Sequence, residues 1–191
     1  MPSDKQENYS QQRDATRLHD ILQCGYAKFK SLEYDEAQQR FEEAAALEPR
    51  SAEAHAWLAA VYGRRIEGAW SLMEKVKLLQ MLENEVAIAL DIDPSLPLAR
   101  RMNGARMLNT PEMLGGDPAA AIDEFRYCIA QGMDEADVWL ALAECYIQTE
   151  EPHQAADALE EALRREPDNE KAAGLLRQLE GGSGSEPNNA Q

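Results

Sequence analysis

The stretch VWLALAECYIQTEEPHQAADALEEALRREPDN, Val138 to Asn169, constrains the fold of this chain more than any other. Trp139, Leu142, Ala143 and Tyr146 fall at i, i+3, i+4 and i+7, which is one face of a helix. Ala155, Leu159, Ala162 and Leu163 repeat that spacing on a second helix, and Pro167 ends it. Small Ala143 and Ala155 let the two helix backbones approach closely. On the outer side, Glu160 with Arg164 and Glu161 with Arg165 are i,i+4 pairs of the favourable polarity. Neither half has enough apolar surface to fold alone. The stretch predicts an antiparallel helical hairpin that packs against neighbours of the same kind.

The pattern recurs upstream. ILQCGYAKFKSLEYDEAQQRFEEAAALEP carries Ile21, Cys24 and Gly25, then Tyr34, Ala37, Phe41, Ala44 and Pro49. The interval from Gly25 to Ala37 is twelve residues, the same as from Ala143 to Ala155. A second unit opens with His55, Leu58, Ala59 and Tyr62 and closes with Leu82, Val86, Ala89 and Pro94. Its Ala59–Leu82 interval is twenty-three, so eleven residues are extra. Eleven residues are about three turns at ~3.6 per turn, which lengthens both helices without rotating their apolar faces. A third unit carries Gly104, Met107, Ala121, Phe125 and Cys128, with five surplus residues in NTPEMLGGDPAAA. There Asp117 is expected to cap the following helix and Pro118 to open it. EKAAGLLRQLE then reads as a single capping helix.

Trp, Leu, Ala or Gly and Tyr, followed by Ala, an apolar residue, Ala and Pro over one period, resembles the tetratricopeptide repeat. The resemblance implies an all-α solenoid of antiparallel hairpins: units at about 18–51, 52–96 with the eleven-residue insertion, 97–135 and 136–169, and a capping helix at 170–180. Residues 1–15 and 181–191 are polar and are expected to be disordered. The stretched second unit and TPEMLGGDP also resemble a branch of tetratricopeptide-like proteins associated with TRAP-type solute transport. They are similar as well to a microtubule-dynamics regulator family.

The resemblance further implies that the first helix of each hairpin lines a concave groove. It places there Tyr26, Phe29 and Lys30 of the first unit, Trp57 and Arg64 of the second, Arg101, Met102 and Leu108 of the third, and Ile147 of the fourth. Members that clamp a carboxylate tail use Lys, Asn and Arg, whereas this chain has Tyr26, Ala60 and Ala105 where Asn or Lys would be needed. The stripe is instead apolar and partly aromatic, which suits a helical or extended apolar segment of another protein. The competing reading is that Tyr26, Phe29 or Trp57 packs between adjacent repeats as core.

Composition narrows the function further. Apolar residues are 44% of the chain and aromatics 6%, enough for a helical core; no run of Val, Ile and Thr alternates as a half-buried strand would. The net charge of −16 disfavours nucleic acid and anionic membranes and favours a basic partner segment. The opening residues MPSDKQENYSQQRDATRL contain no apolar leader, so a cytoplasmic protein is expected. Cys24, Cys128 and Cys145 are expected as free, buried thiols of a reducing compartment. His19, His55 and His153 are scattered, so no metal site is predicted. No catalytic residue and no cofactor are predicted either, because nucleophile, nucleotide and metal motifs are all missing. The sequence therefore points to a non-catalytic interaction scaffold, with a homodimer contact available on the extended hairpin around Trp70. The alternative is a ligand-binding or transport-associated protein with a pocket at the second and third units.

Overall fold

The computed structural model describes residues 4–183, with side chains for residues 12–181. Among the described residues the regular structure is helical and no strand occurs. Helices α1 (Asp4–Lys30) and α2 (Tyr34–Leu47) form the first hairpin, and α3 (Ala52–Gly68) and α4 (Leu72–Ile92) the second. Helices α5 (Pro97–Asn109) and α6 (Pro118–Ala130) follow, joined through a 3-10 turn at Glu112–Leu114. The last hairpin is α7 (Ala136–Gln148) with α8 (Pro152–Arg165), and α9 (Glu170–Ser183) closes the described chain. The residues divide into two compact units, Met1–Met102 and Asn103–Gln191.

Two boundaries differ from expectation. Helix α1 starts at Asp4, inside the segment expected to be disordered. No Gly or Pro intervenes before Gly25, and Lys, Gln, Glu, Arg and Ala lose little on entering a helix. Helix α9 runs to Ser183, three residues past the expected end, and the rest of the expected tail lies outside the described residues.

In the first unit, Gly25 decides how α1 meets α2. A Cβ placed on Gly25 would lie 2.6 Å from Phe41 Cε1, so only glycine lets the Phe41 ring occupy the crossing. Phe41, Ala37 and Ala44 are fully buried, and Ile21, Leu22, Leu58, Tyr62 and Val86 complete the core. His55 ties the long hairpin together: its Nδ1 lies 2.6 Å from Glu85 Oε2, and its Nε2 faces the Pro49 carbonyl at 3.2 Å. The extra eleven residues do lengthen the helices. Helix α3 has 17 residues and α4 has 21, against 13 and 14 in α7 and α8.

In the second unit Ala143 and Ala155 are both fully buried, as their spacing required. Phe125, Val138, Leu142, Leu159 and Ala162 surround them, and α9 covers the end of the core with buried Ala172 and half-buried Leu175, Leu176 and Leu179. Asp117 Oδ1 accepts from the Ala120 N–H at 2.9 Å, and Pro118 is the first residue of α6. Gly116 is fixed by contact: a Cβ there would fall 1.8 Å from the Thr110 carbonyl oxygen. On the outer face of α8, Arg164 pairs with Glu161 at 2.5 Å rather than with Glu160. Glu161 also binds Arg165 at 2.5 Å.

The cysteines divide. Cys128 and Cys145 are buried, and burial, helped by the neighbouring Glu144 charge, pushes the Cys145 thiol up to about 12. Cys24, expected inside, is exposed. It sits beside Gly25 on α1, but the buried side of that turn is taken by Ile21, Leu22 and Gly25.

Candidate functional site

The first unit gathers five aromatic rings on three helices. Trp57, on α3, stacks on Phe41 of α2 with ring centroids 5.6 Å apart and planes 7° from parallel. Its other neighbours come from α1: Tyr26 at 5.1 Å and Phe29 at 5.4 Å. Phe29 in turn meets Tyr34 edge-on at 5.5 Å. Such tilted and stacked pairs each add about 0.5–1.5 kcal/mol beyond simple burial. The cluster is graded in depth. Phe41 is fully buried, Trp57 and Phe29 are half-buried, and Tyr26 is 40% exposed. One face of Trp57 packs on the core while the side chain still reaches solvent.

The rest of the expected groove distributes unevenly. Lys30 is exposed at the end of α1. Arg64 is exposed on α3, seven residues beyond Trp57 and so two turns along the same face, and pairs with Glu67 at 3.1 Å. Arg101 is half-buried, and half-buried Met102 packs against the core of the first unit. Leu108 and Ile147 belong to the second unit. Leu108 is only 5% exposed and is a core residue there; it is not available as a groove contact. Ile147 is half-buried against that same core. The structure thus brings together Tyr26, Phe29 and Trp57, and adds Tyr34 and Phe41, which the groove assignment omitted. Gly25 was the available signal for Phe41, because a residue without a side chain on α1 leaves a slot for a ring on α2.

Charged groups frame this aromatic shelf. Lys28, standing where the repeat pattern usually has an aromatic, is held at 2.7 Å by both Glu33 and Glu36. The hydrogen bond it donates to Glu33, followed by that to Glu36, raises the ammonium well above its ordinary range, so it stays charged. The Trp57 indole N–H donates to Glu53 at 3.4 Å, a long contact that fixes little. Near the Gly-Gly turn of the second unit lies an open depression of about 330 Å³ between Gly116, Asp117, Gln148 and Thr149. Its mixed walls lack the apolar lining of a ligand pocket.

Models of the tetratricopeptide repeat match residues 23–68 and 113–179, together more than half of the sequence. The chain belongs to the tetratricopeptide repeat family. Among solved structures it is similar to pilF of Pseudomonas aeruginosa, at 19% identity and a TM-score of 0.69, over 89% of this chain and 70% of that one. It is also similar to MamA (41 to the end) from Desulfovibrio magneticus RS-1, at 14% identity and a TM-score of 0.62, over 87% and 85% of the two chains. A further MamA structure aligns at 19% identity and a TM-score of 0.59, over 84% of each. At these identities the likeness establishes a common fold. No curated protein matches the chain. Among the described residues, no helix of this tetratricopeptide protein is long and apolar enough to cross a membrane.

Proposed function

We propose that this chain is a non-catalytic protein–protein interaction scaffold that holds a helical or extended segment of another protein on the shelf of Tyr26, Phe29 and Trp57. The observation that carries the reading is the grading of the aromatic cluster. A ring that served only as core would be covered, yet Tyr26 keeps 40% of its surface while its inner face rests on Trp57. A partner side chain laid on Tyr26 would meet a surface whose position is already fixed by Trp57 and Phe41, so little ordering would be needed on this side. Large aromatics anchored in this way are the usual centres of binding energy.

The segment that fits is an apolar or aromatic residue flanked by Lys or Arg. The ring faces accept aliphatic or cationic groups, and the surplus of 35 acidic over 19 basic residues draws a basic segment and disfavours an acidic one. Free thiols at Cys24, Cys128 and Cys145 suit work in the cytoplasm.

Selection from a displayed short-peptide library tests the reading directly. Peptides retained by the wild-type chain should be enriched in aromatic or long aliphatic residues next to Lys or Arg. Tyr26→Ala should weaken them roughly tenfold or more, with a small fall in melting temperature from losing the Trp57 ring contact and no loss of the fold. Selected peptides that bind Tyr26→Ala as well as wild type would move the site off the shelf.

A further inference from the structure

The long α3–α4 hairpin ends in surface that its own unit does not use. Residues 71–77 are exposed without interruption, and Trp70 just before them is 100% exposed. Leu72 and Met73 follow at 76% and 84%. In a chain that buries Phe41, Phe125, Leu159 and Val138 almost completely, a bare Trp-x-Leu-Met tip is unusual apolar exposure. The tip has no role in holding α3 to α4, since Leu78, Leu82 and Val86 do that from the inner face of α4.

Immediately beside the tip is an open depression of about 360 Å³. Leu32, Tyr34, Gly68 and Ala69 line it together with the charged side chains of Asp35, Arg64, Arg65 and Glu74. That volume lies within the roughly 300–1,000 Å³ of clefts that accept a compact organic group. At Gly68 a Cβ would meet nothing within 4 Å, so the floor is open there. Leu32 is itself 70% exposed and held at a φ of +63°, a conformation that leucine rarely adopts. The depression cannot be filled by Trp70 of the same chain, because that side chain touches solvent on every side.

A projecting indole and a depression bordered by Leu32, Tyr34 and two guanidinium groups lie on one small surface, so in a two-fold symmetric contact each copy would supply both halves. We propose that two copies of this chain associate through the tips of their α3–α4 hairpins, each inserting Trp70 into the depression of the other.

The areas are adequate. Trp70, Leu72, Met73 and Leu32 together offer roughly 500–600 Å² per copy at ~150–250 Å² for a large side chain. The two copies would then bury about 1,000–1,200 Å², the size of a weak, reversible interface. Charge also picks out this surface. The chain carries a net −16, yet residues 64–82 hold Arg64, Arg65, Lys75 and Lys77 against Glu67 and Glu74, with Asp35 also at the depression, paired with Arg65 at 3.4 Å. Self-repulsion is least where the tips meet, and Arg64 and Arg65 line the site where a partner's indole ring would arrive.

This inference does not rest on the peptide-binding reading, whose shelf is Tyr26, Phe29 and Trp57; Tyr34 borders both surfaces. Sedimentation equilibrium of the full chain over about 1–200 µM decides it, this range covering micromolar association. Wild type should show a reversible monomer–dimer equilibrium. Trp70→Ala should raise the dissociation constant roughly thirtyfold or more, with an unchanged melting temperature because nothing in the fold contacts that side chain. Gly68→Phe, which fills the depression from within, should do the same. Added salt, from about 0.05 to 0.5 M, should tighten the wild-type dimer, because screening removes repulsion between two acidic bodies. A chain that stays monomeric throughout, or a dimer indifferent to both substitutions, would overturn the proposal. So would a tip that binds anionic vesicles or polyglutamate, with salt weakening the contact, while no dimer forms.

Discussion

The hairpins α3–α4 and α7–α8 are built on one repeat period, yet Trp70 of the first and Trp139 of the second are treated in opposite ways. In α7–α8, Trp139 is clipped in place. Its indole N–H donates to Asp134 Oδ1 at 2.7 Å, and the Arg165 guanidinium lies over its ring at 4.8 Å. Arg165 is fixed in turn by Asp134 and Glu161. Trp139 therefore joins the preceding loop, α7 and α8. In α3–α4 the core contacts lie along the inner side of each helix, and the added turns carry Trp70 out of reach of any partner within the fold. The regular hairpin has used its large side chains for cohesion, while the lengthened one has surface to spare. Extra turns beyond what the neighbouring hairpin can cover are thus where new contacts can arise without cost to the core.

The largest test of that contrast is a pair of truncations followed by thermal or urea melts. Trp139→Ala should destabilise the chain by about 2–3 kcal/mol, the low end of the range for aromatic loss because the ring is only half-buried. Trp70→Ala should change stability by less than about 0.5 kcal/mol. Equal losses would erase the distinction. A smaller effect sharpens it from the helix interior. Gly63 lies within α3, where a Cβ would make an ordinary 3.6 Å contact with Leu82 Cδ1. Gly63→Ala should therefore stabilise the long hairpin by about 0.5–1 kcal/mol, read as a raised urea midpoint.

The smallest effect is acid sensitivity confined to the clip. The hydrogen bond from Trp139, and next that from Arg165, hold the Asp134 carboxyl below its ordinary 3.8. A carboxyl whose folded value is depressed contributes fully above its unfolded value, and that contribution disappears as the pH falls through the folded one. Melting temperature should therefore drop more steeply below about pH 3.8 in wild type than in Asp134→Asn. Parallel acid curves for the two proteins would remove the clip from the stability of this hairpin.

Much of the architecture was legible because it is written in side-chain size. Ala143 and Ala155, and Gly25 and Ala37 at the same interval, state which helices cross; that Phe41 fills the slot at Gly25 came only with the structure. The lengthened hairpin was legible for the same reason, since an insertion of whole turns preserves the face. Position within the site was harder to read. Leu108 and Tyr26 share a helical pattern, yet one lies inside a core and the other on a shelf, because depth depends on what the next helix brings. The expected burial of Cys24 failed likewise: Ile21, Leu22 and Gly25 already fill the inner side of that turn. Backbone strain was not legible at all. Leu32 and Glu150 both adopt a positive φ at the inter-helix turns, where leucine and glutamate give no turn signal. There the packing of the flanking helices overrides local preference.

The exposure of Cys24 has a practical corollary. Cys128 and Cys145 are shielded, so the native chain presents one thiol to a maleimide dye or a nitroxide spin label. Cys24 precedes Tyr26 by two residues, about 200° around the helix at ~3.6 residues per turn. A reporter there would sit close enough to sense occupancy of the aromatic shelf, yet point away from whatever settles on it.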